Sequence, residues 1–244
     1  MSAPISTASR PGTAAERPPA PKFWRVWARI VLRDIKLELR SREALQAMLF
    51  YALLIIIIFS FAFEAGAELT SRVGGALLWV AFLFAGLVAL DRVFLRELPE
   101  ASLLGFQISP ASRTALLAGK FTASFLLMIA VELLLLPLFA IFFNPPPEAR
   151  WGMIILVLLA GTWALAASGT YFSALSLHTR YRALLLPLLL LPLAIPAIVA
   201  MVQATQHLLD GQGEVAYWLR LLVGFDILYT TLGLALADVV IQTE

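Results

Sequence analysis

Residues 121–143 read FTASFLLMIAVELLLLPLFAIFF. One charged side chain, Glu132, interrupts an oily run long enough to cross the hydrocarbon core of a bilayer, which takes ~20 apolar residues as a helix. A buried strand ends after ~5–6 residues. A helix that is oily all round, as here, needs an apolar solvent or a large core on every side. The rest of the chain repeats the theme. It is 61% hydrophobic and 14% charged over 244 residues, where soluble domains average ~45–50% and ~25%. The expectation is an all-α integral membrane protein with six transmembrane helices at about 44–63, 74–90, 121–143, 152–177, 183–202 and 219–241.

These spans are uneven. The second is short unless it extends into Asp91–Leu95. The fourth is long and is expected to tilt or protrude. The fifth contains Pro187, Pro192 and Pro196, which remove backbone donors and favour kinks. The charges give the orientation. Nine Lys and Arg precede the first span, four lie in 91–120 and two in 178–182. The alternate loops hold only Arg72 and Arg150, and Arg220 sits at the start of the last span. Fifteen positive charges against three place both termini in the cytoplasm by the positive-inside rule, and six spans agree with that parity.

Residues 1–21 hold five prolines and little apolar surface, and are expected to form a disordered cytoplasmic tail. They lack the apolar stretch of a secretory signal and the Arg-rich amphipathic helix of a transit peptide, so an uncleaved chain is expected. There are no cysteines, which excludes disulfides, thiolate metal sites and iron–sulfur clusters.

Residues 22–43 form the second expected unit. In KFWRVWARIVLRDIKLELRSR, Trp24, Trp27, Val31, Ile35 and Leu39 recur at helical spacing. Arg25, Arg29, Arg33, Lys36 and Arg40 run along the other side. The pattern predicts an amphipathic helix lying in the cytoplasmic interface before the first span; packing against protein is the alternative. Nucleic-acid binding fits poorly, because the apolar face leads straight into a span. The six-span membrane domain then fills 44–244.

Between spans two and three lies DRVFLRELPEASLLGFQISPASRTALLAGK, residues 91–120. Pro99 suits the first turn of a short helix, with Glu97 and Glu100 near its positive end. That helix presents Leu103, Leu104 and Phe106. Ser109-Pro110 then reads as a cap and first helical position for a second helix running into span three. The short helix is either a docking element for a cytoplasmic partner or a surface helix that ties two spans together. The stretch LLAGKF is not a phosphate loop: Thr114 and Phe121 stand where glycine and Ser/Thr are required. If ATP is used, another subunit binds it.

Inside the membrane, Glu132 is costly unless protonated, hydrogen-bonded or facing a cavity. It is a candidate polar site on a pathway or an interhelical hydrogen-bond partner. Asp226 is the second such candidate, on the outer side of the last span; Asp238 is close enough to its inner end to reach water. In the fourth span, Ala160, Ala164 and Ser168 share a face, and Gly161 and Gly169 thin it further, so close helix packing is expected, with a substrate groove as the minority reading. Thr162, Thr170 and Ser173 can bond backbone or neighbouring helices. His178 and His207 could each ligate a metal or haem iron, but are isolated. No metalloprotease, serine-hydrolase or paired-carboxylate pattern is present, so a membrane-embedded enzyme is a secondary reading.

The whole order resembles the permease subunit of an ABC-2-type exporter, and more narrowly the CcmB family of haem exporter proteins in cytochrome c maturation. The carrying residues are FWRVWARIVLRDIKLELRSRE from Phe23 and GGALLWVAFLFAGLVALDRVFLRELPEASLLGFQISPASRTALLAGK from Gly74. LLLPLLLLPLAIPAI and the closing GFDILYTTLGLALADVVIQTE add to them. The resemblance covers about 23–244 and is distributed, not catalytic. It implies a non-catalytic subunit in a bacterial inner membrane, with ATP and Mg on a CcmA-like ATP-binding partner and a second copy of itself. CcmC- and CcmD-like membrane proteins and a CcmE-like haem chaperone are the further partners implied. Haem is implied as cargo, with no cofactor resident. The Trp-rich haem-handling motif of the CcmC type is absent. Carried over, Asp91, Arg92, Phe94, Arg96, Glu97, Glu100, Leu104 and Lys120 are implied to form or support the ATPase contact. The family's coupling turn often has Asp-Gly where this chain has Glu100-Ala101. A generic ABC-2 permease for lipid, polysaccharide or drug remains the nearest alternative.

Overall fold

The computed structural model describes residues 23–63, 67–94, 110–176, 182–211, 213–235 and 237. Among them are seven α-helices and no strand: α1 (Phe23–Ser41), α2 (Glu43–Ala62), α3 (Ala67–Arg92), α4 (Pro110–Phe143), α5 (Trp151–Leu175), α6 (Arg182–Leu209) and α7 (Val215–Ala235). Six of these, α2 to α7, are long and apolar enough to cross a membrane. The tail at 1–21 and the short helix expected at 99–106 lie outside the described residues.

The helices start and stop where elementary chemistry allows. Pro110 opens α4, as its missing donor permits. The second span is not short: α3 begins seven residues before the expected Gly74, because Ala67 and the residues after it continue the helix as a polar first turn and a half. The fifth is also longer, reaching Leu209 through Pro187, Pro192 and Pro196.

Two helices organise the bundle. α3 packs on α2, α4, α5 and α6, and α5 on α3, α4, α6 and α7. Lipid tails give no hydrophobic drive for helices to associate, so close approach has to come from small residues. A Cβ on Gly161 would fall into the ring of Trp79, and one on Gly169 into the side chain of Leu90, both on α3. On α3 itself, a Cβ at Gly75 would come within 2.8 Å of the Val202 carbonyl oxygen of α6, so there the two backbones touch. The small-residue face of α5 is therefore a packing face. Hydrogen bonds complete the seams. Trp79 Nε1 donates to Thr205 Oγ1 at 2.9 Å. The terminal carbonyl of α4, at Phe143, accepts from Thr70 Oγ1, and Leu90 near the end of α3 accepts from Ser173 Oγ. Both lie in the last turn, where carbonyls lose their regular intrahelical partners; that of Leu90 also accepts from Val93 N–H at 3.4 Å.

Around this centre, α2 and α7 present rows of exposed apolar side chains, Phe50, Leu54, Ile58 and Phe61 on one and Tyr217, Ile227 and Leu228 on the other. In water such surfaces would aggregate; in a bilayer they are the solvent-facing side.

Candidate functional site

A buried ion pair and a side-chain helix cap lie at the end where α1 meets α2 and α4. α1 lies against α4, and Gly119 makes this possible: a Cβ there would collide with Ile30. Trp27 Nε1 donates to Thr122 Oγ1 at 3.1 Å. Beside it, Lys120 Nζ pairs with Asp34 Oδ2 at 2.7 Å. Lys120 is 3% exposed and lies 5.7 Å from the ring centroid of the fully buried Phe94, within cation–π range.

One turn further on, Glu38 is buried at the junction of α1 and α2. Its Oε1 accepts from the backbone N–H groups of Ala44, at 2.7 Å, and Leu45, at 3.0 Å. These are two of the donors that the start of α2 leaves unsatisfied. Arg42, the residue preceding α2, supplies no cap of its own and sits in the left-handed region at φ 58°. A carboxylate from the previous helix takes over the capping role and adds favourable charge at the positive end of α2.

The leading helix carries a protein-facing side in addition to the apolar and basic sides its periodicity gives. Its protein-facing side is Trp27, Ile30, Val31, Asp34 and Glu38, with Asp34 and Glu38 one turn apart. Trp24, Leu32 and Leu39 are exposed on one flank, and Arg25, Arg29, Lys36 and Arg40 on the other. The helix has three stripes rather than two. The acidic pair spaced i, i+4 within a basic helix was the signal for the third stripe.

Of the residues implied to serve the ATPase contact, four fall among the described ones. Arg92 is exposed and bonds Glu43 of α2 at 3.1 Å; Asp91 is half-buried beside it. Phe94 and Lys120 are interior and brace α1, so they stand beneath the surface rather than on it. Arg96, Glu97, Glu100 and Leu104 lie outside the described residues.

Deeper in the bundle, Glu132 is 2% exposed, and its Oε2 accepts from Thr162 Oγ1 of α5 at 2.5 Å. Its other oxygen meets no partner among the described residues. Asp226 is half-buried on α7, with one oxygen likewise unpartnered. His207 lies at the far end of α6 against Gly213; His178 and Asp238 are outside the described residues. Among the described residues, no three of His, Asp and Glu come together as a metal site.

A bundle of six membrane-length helices, braced at one end by an amphipathic helix held through an ion pair, defines a multi-pass membrane protein. The sequence pattern of the CcmB protein family matches residues 25–240, and the chain belongs to that family. It is 33% identical over 183 residues to heme exporter protein B of Bradyrhizobium diazoefficiens, covering 75% of this chain and 82% of that one. With the protein of the same name from Rhodobacter capsulatus it shares 30% over 171 residues, 70% and 78% of the two chains. With that of Pseudomonas aeruginosa it shares 28% over 212 residues, 86% and 95%.

Proposed function

We propose that this chain is the permease subunit of an ABC transporter complex in cytochrome c maturation, coupling ATP hydrolysis on a partner to haem export or to release of a haem-loaded chaperone. The observation that carries this reading is the alignment with heme exporter B proteins across nearly the whole bundle, in a chain without a phosphate loop of its own. ATP and Mg belong to a CcmA-like subunit. A second copy of this chain, CcmC- and CcmD-like membrane proteins and a CcmE-like chaperone complete the assembly, and haem is cargo.

The distribution of Lys and Arg supports an inner-membrane orientation with both termini cytoplasmic. In that orientation α1 lies along the cytoplasmic interface and residues 91–109 face the ATPase. Asp91, Arg92, Arg96, Glu97, Glu100 and Leu104 form the contact surface. Phe94 and Lys120 act from behind it. A push on the loop reaches the start of α4, then α1 through Lys120–Asp34, then the capped start of α2 through Glu38. The loop is thereby linked mechanically to the first and third spans.

The chain has no cysteine, so a single cysteine at Ala111 reports sidedness cleanly. Labelling from the cytoplasmic face only is expected; labelling from the opposite face only would overturn the orientation. Reversing charge at Glu97 and Glu100 together should abolish co-purification of the ATP-binding subunit. Deleting the gene should remove c-type cytochromes while envelope lipids and polysaccharides stay normal. The converse pattern would favour the generic exporter.

A further inference from the structure

Arg42 alone separates α1 from α2, and its backbone sits at φ 58° and ψ 8°. In this left-handed region a Cβ crowds the following carbonyl, which is why glycine usually fills it. Yet the helical ladder resumes on both sides of Arg42. Its N–H donates to the Glu38 carbonyl oxygen at 2.6 Å, and its own carbonyl oxygen accepts from Gln46 N–H at 2.9 Å. Both bonds span four residues, as in a helix. Between them the pattern changes. Ala44 and Leu45 N–H turn to the Glu38 carboxylate, where in a continuous helix they would meet the carbonyls of Arg40 and Ser41.

The helices on either side have different neighbours. α1 packs chiefly on α4 and little on α2, whereas α2 packs chiefly on α3. On the inside of the bend lies a cleft of about 50 Å³, whose lining includes Asp34, Glu38, Met48, Arg92 and Lys120. Glu38 therefore has room to withdraw.

We infer that the junction is a one-residue elbow with two settings, and that α1 is a strap which it clasps across the head of α4 or swings clear. In the bent setting of this structure Arg42 is left-handed and Glu38 caps α2. In the straight setting Arg42 is helical, the N–H groups of Ala44 and Leu45 rejoin the ladder, and Glu38 is released. Both settings satisfy the same backbone donors, so the exchange orphans neither amide. They differ in what each gives up. Bending carries the backbone strain of Arg42. Straightening removes the Glu38 charge from the positive end of α2 and lifts Asp34 and Trp27 off Lys120 and Thr122. Those contacts hold the strap closed. The elbow belongs to this chain's own backbone and does not rest on the cargo or on the ATP-binding partner.

The test uses the full chain in nanodiscs. It has no cysteine, so Arg29→Cys and Ile58→Cys place one spin label on an exposed site of α1 and one on α2. A continuous helix would hold them about 44 Å apart, at 1.5 Å per residue; the bent elbow holds them closer. With the elbow native, the single shorter distance is expected. Adding Glu38→Ala and Arg42→Ala removes the cap and favours a helical residue at the joint, and a population at the longer distance should appear. Using Arg42→Gly in place of Arg42→Ala eases the left-handed setting and disfavours the helix, so that population should shrink again. With Glu38 intact, Arg42→Gly should unfold at a higher temperature than Arg42→Ala, the reverse of their order in a helix interior. This comparison stands even where the variants lacking Glu38 fail to fold. One unchanged short distance in both variants lacking Glu38 overturns the elbow, and so does Arg42→Ala at least as stable as Arg42→Gly.

Discussion

The bundle handles charge in two ways, one at its α1 end and one in its middle. At the α1 end, Lys120 and Glu38 are buried and Asp34 is half-buried, and each meets an opposite charge or backbone donors. In the middle, Glu132 is equally buried and meets one hydroxyl. The first arrangement ties three segments together and loses heavily if one member goes. The second is a local contact between α4 and α5 whose loss leaves the bundle's small-residue packing intact. Burial alone therefore does not rank these residues; what each one's removal leaves behind does.

The largest expected effect breaks the matched end. Lys120→Met removes the buried member of the pair and leaves half-buried Asp34 with Arg33 alone, at 3.1 Å; breaking a fully buried pair costs roughly 3–5 kcal/mol, which is the upper bound here. Folded yield in detergent and the unfolding midpoint in mixed micelles should both fall sharply. The sharper statement is the rescue. Asp34→Leu combined with Lys120→Met removes both charges, and replacing a buried pair by apolar residues is often neutral. The double variant should recover most of the stability lost in Lys120→Met. If the ion pair also carries motion from the loop to α1, the double variant stays folded but its partner's ATPase is uncoupled from cytochrome c assembly.

A smaller effect separates charge from capping in the same cluster. Glu38→Ala leaves the amides of Ala44 and Leu45 unsatisfied, and losing an N-terminal cap costs about 0.5–2 kcal/mol. Glu38→Gln keeps a carbonyl oxygen in place of Oε1. Gln should hold most of the thermal stability that Ala loses; equal loss in both would assign the contribution to charge at the start of α2 rather than to hydrogen bonding.

Much of this was legible in the sequence. Six oily runs define the spans, because only helices of that length satisfy their own backbone in lipid. The spacing of Ala160, Ala164 and Ser168, with Gly161 and Gly169 thinning the helix further, marked α5 as closely packed, and α3 approaches at the two glycines. What was not legible is the direction of side chains on α1. Apolar periodicity put Trp24, Trp27, Val31, Ile35 and Leu39 on one face toward the interface, but it did not show that Asp34 and Glu38 join Trp27 and Val31 on the side that packs on protein, because their partners Lys120 and the α2 amides are distant in sequence or belong to the backbone. Lys120 was readable as part of the loop and not as its internal brace for the same reason. Gln206, which bridges Gly75 N–H and the Thr70 carbonyl across α3 and α6, gave no local sign at all.

The smallest expected effect lies at the midpoint, and it decides what Glu132 is for. Interhelical hydrogen bonds in membranes average about 0.6 kcal/mol and reach about 1.7. A double-mutant cycle between Glu132→Gln and Thr162→Val should therefore return a coupling within that range. Glutamine fits the same space, carries no charge and retains an acceptor for Thr162. If the α4–α5 contact is the whole role of the side chain, Glu132→Gln keeps normal c-type cytochrome assembly with its unfolding midpoint nearly unchanged. Lost assembly at unchanged stability would mean that the second oxygen, which meets no partner among the described residues, serves the transport pathway. The midpoint carboxyl would then resemble the α1-end cluster after all, with a partner that arrives only during turnover.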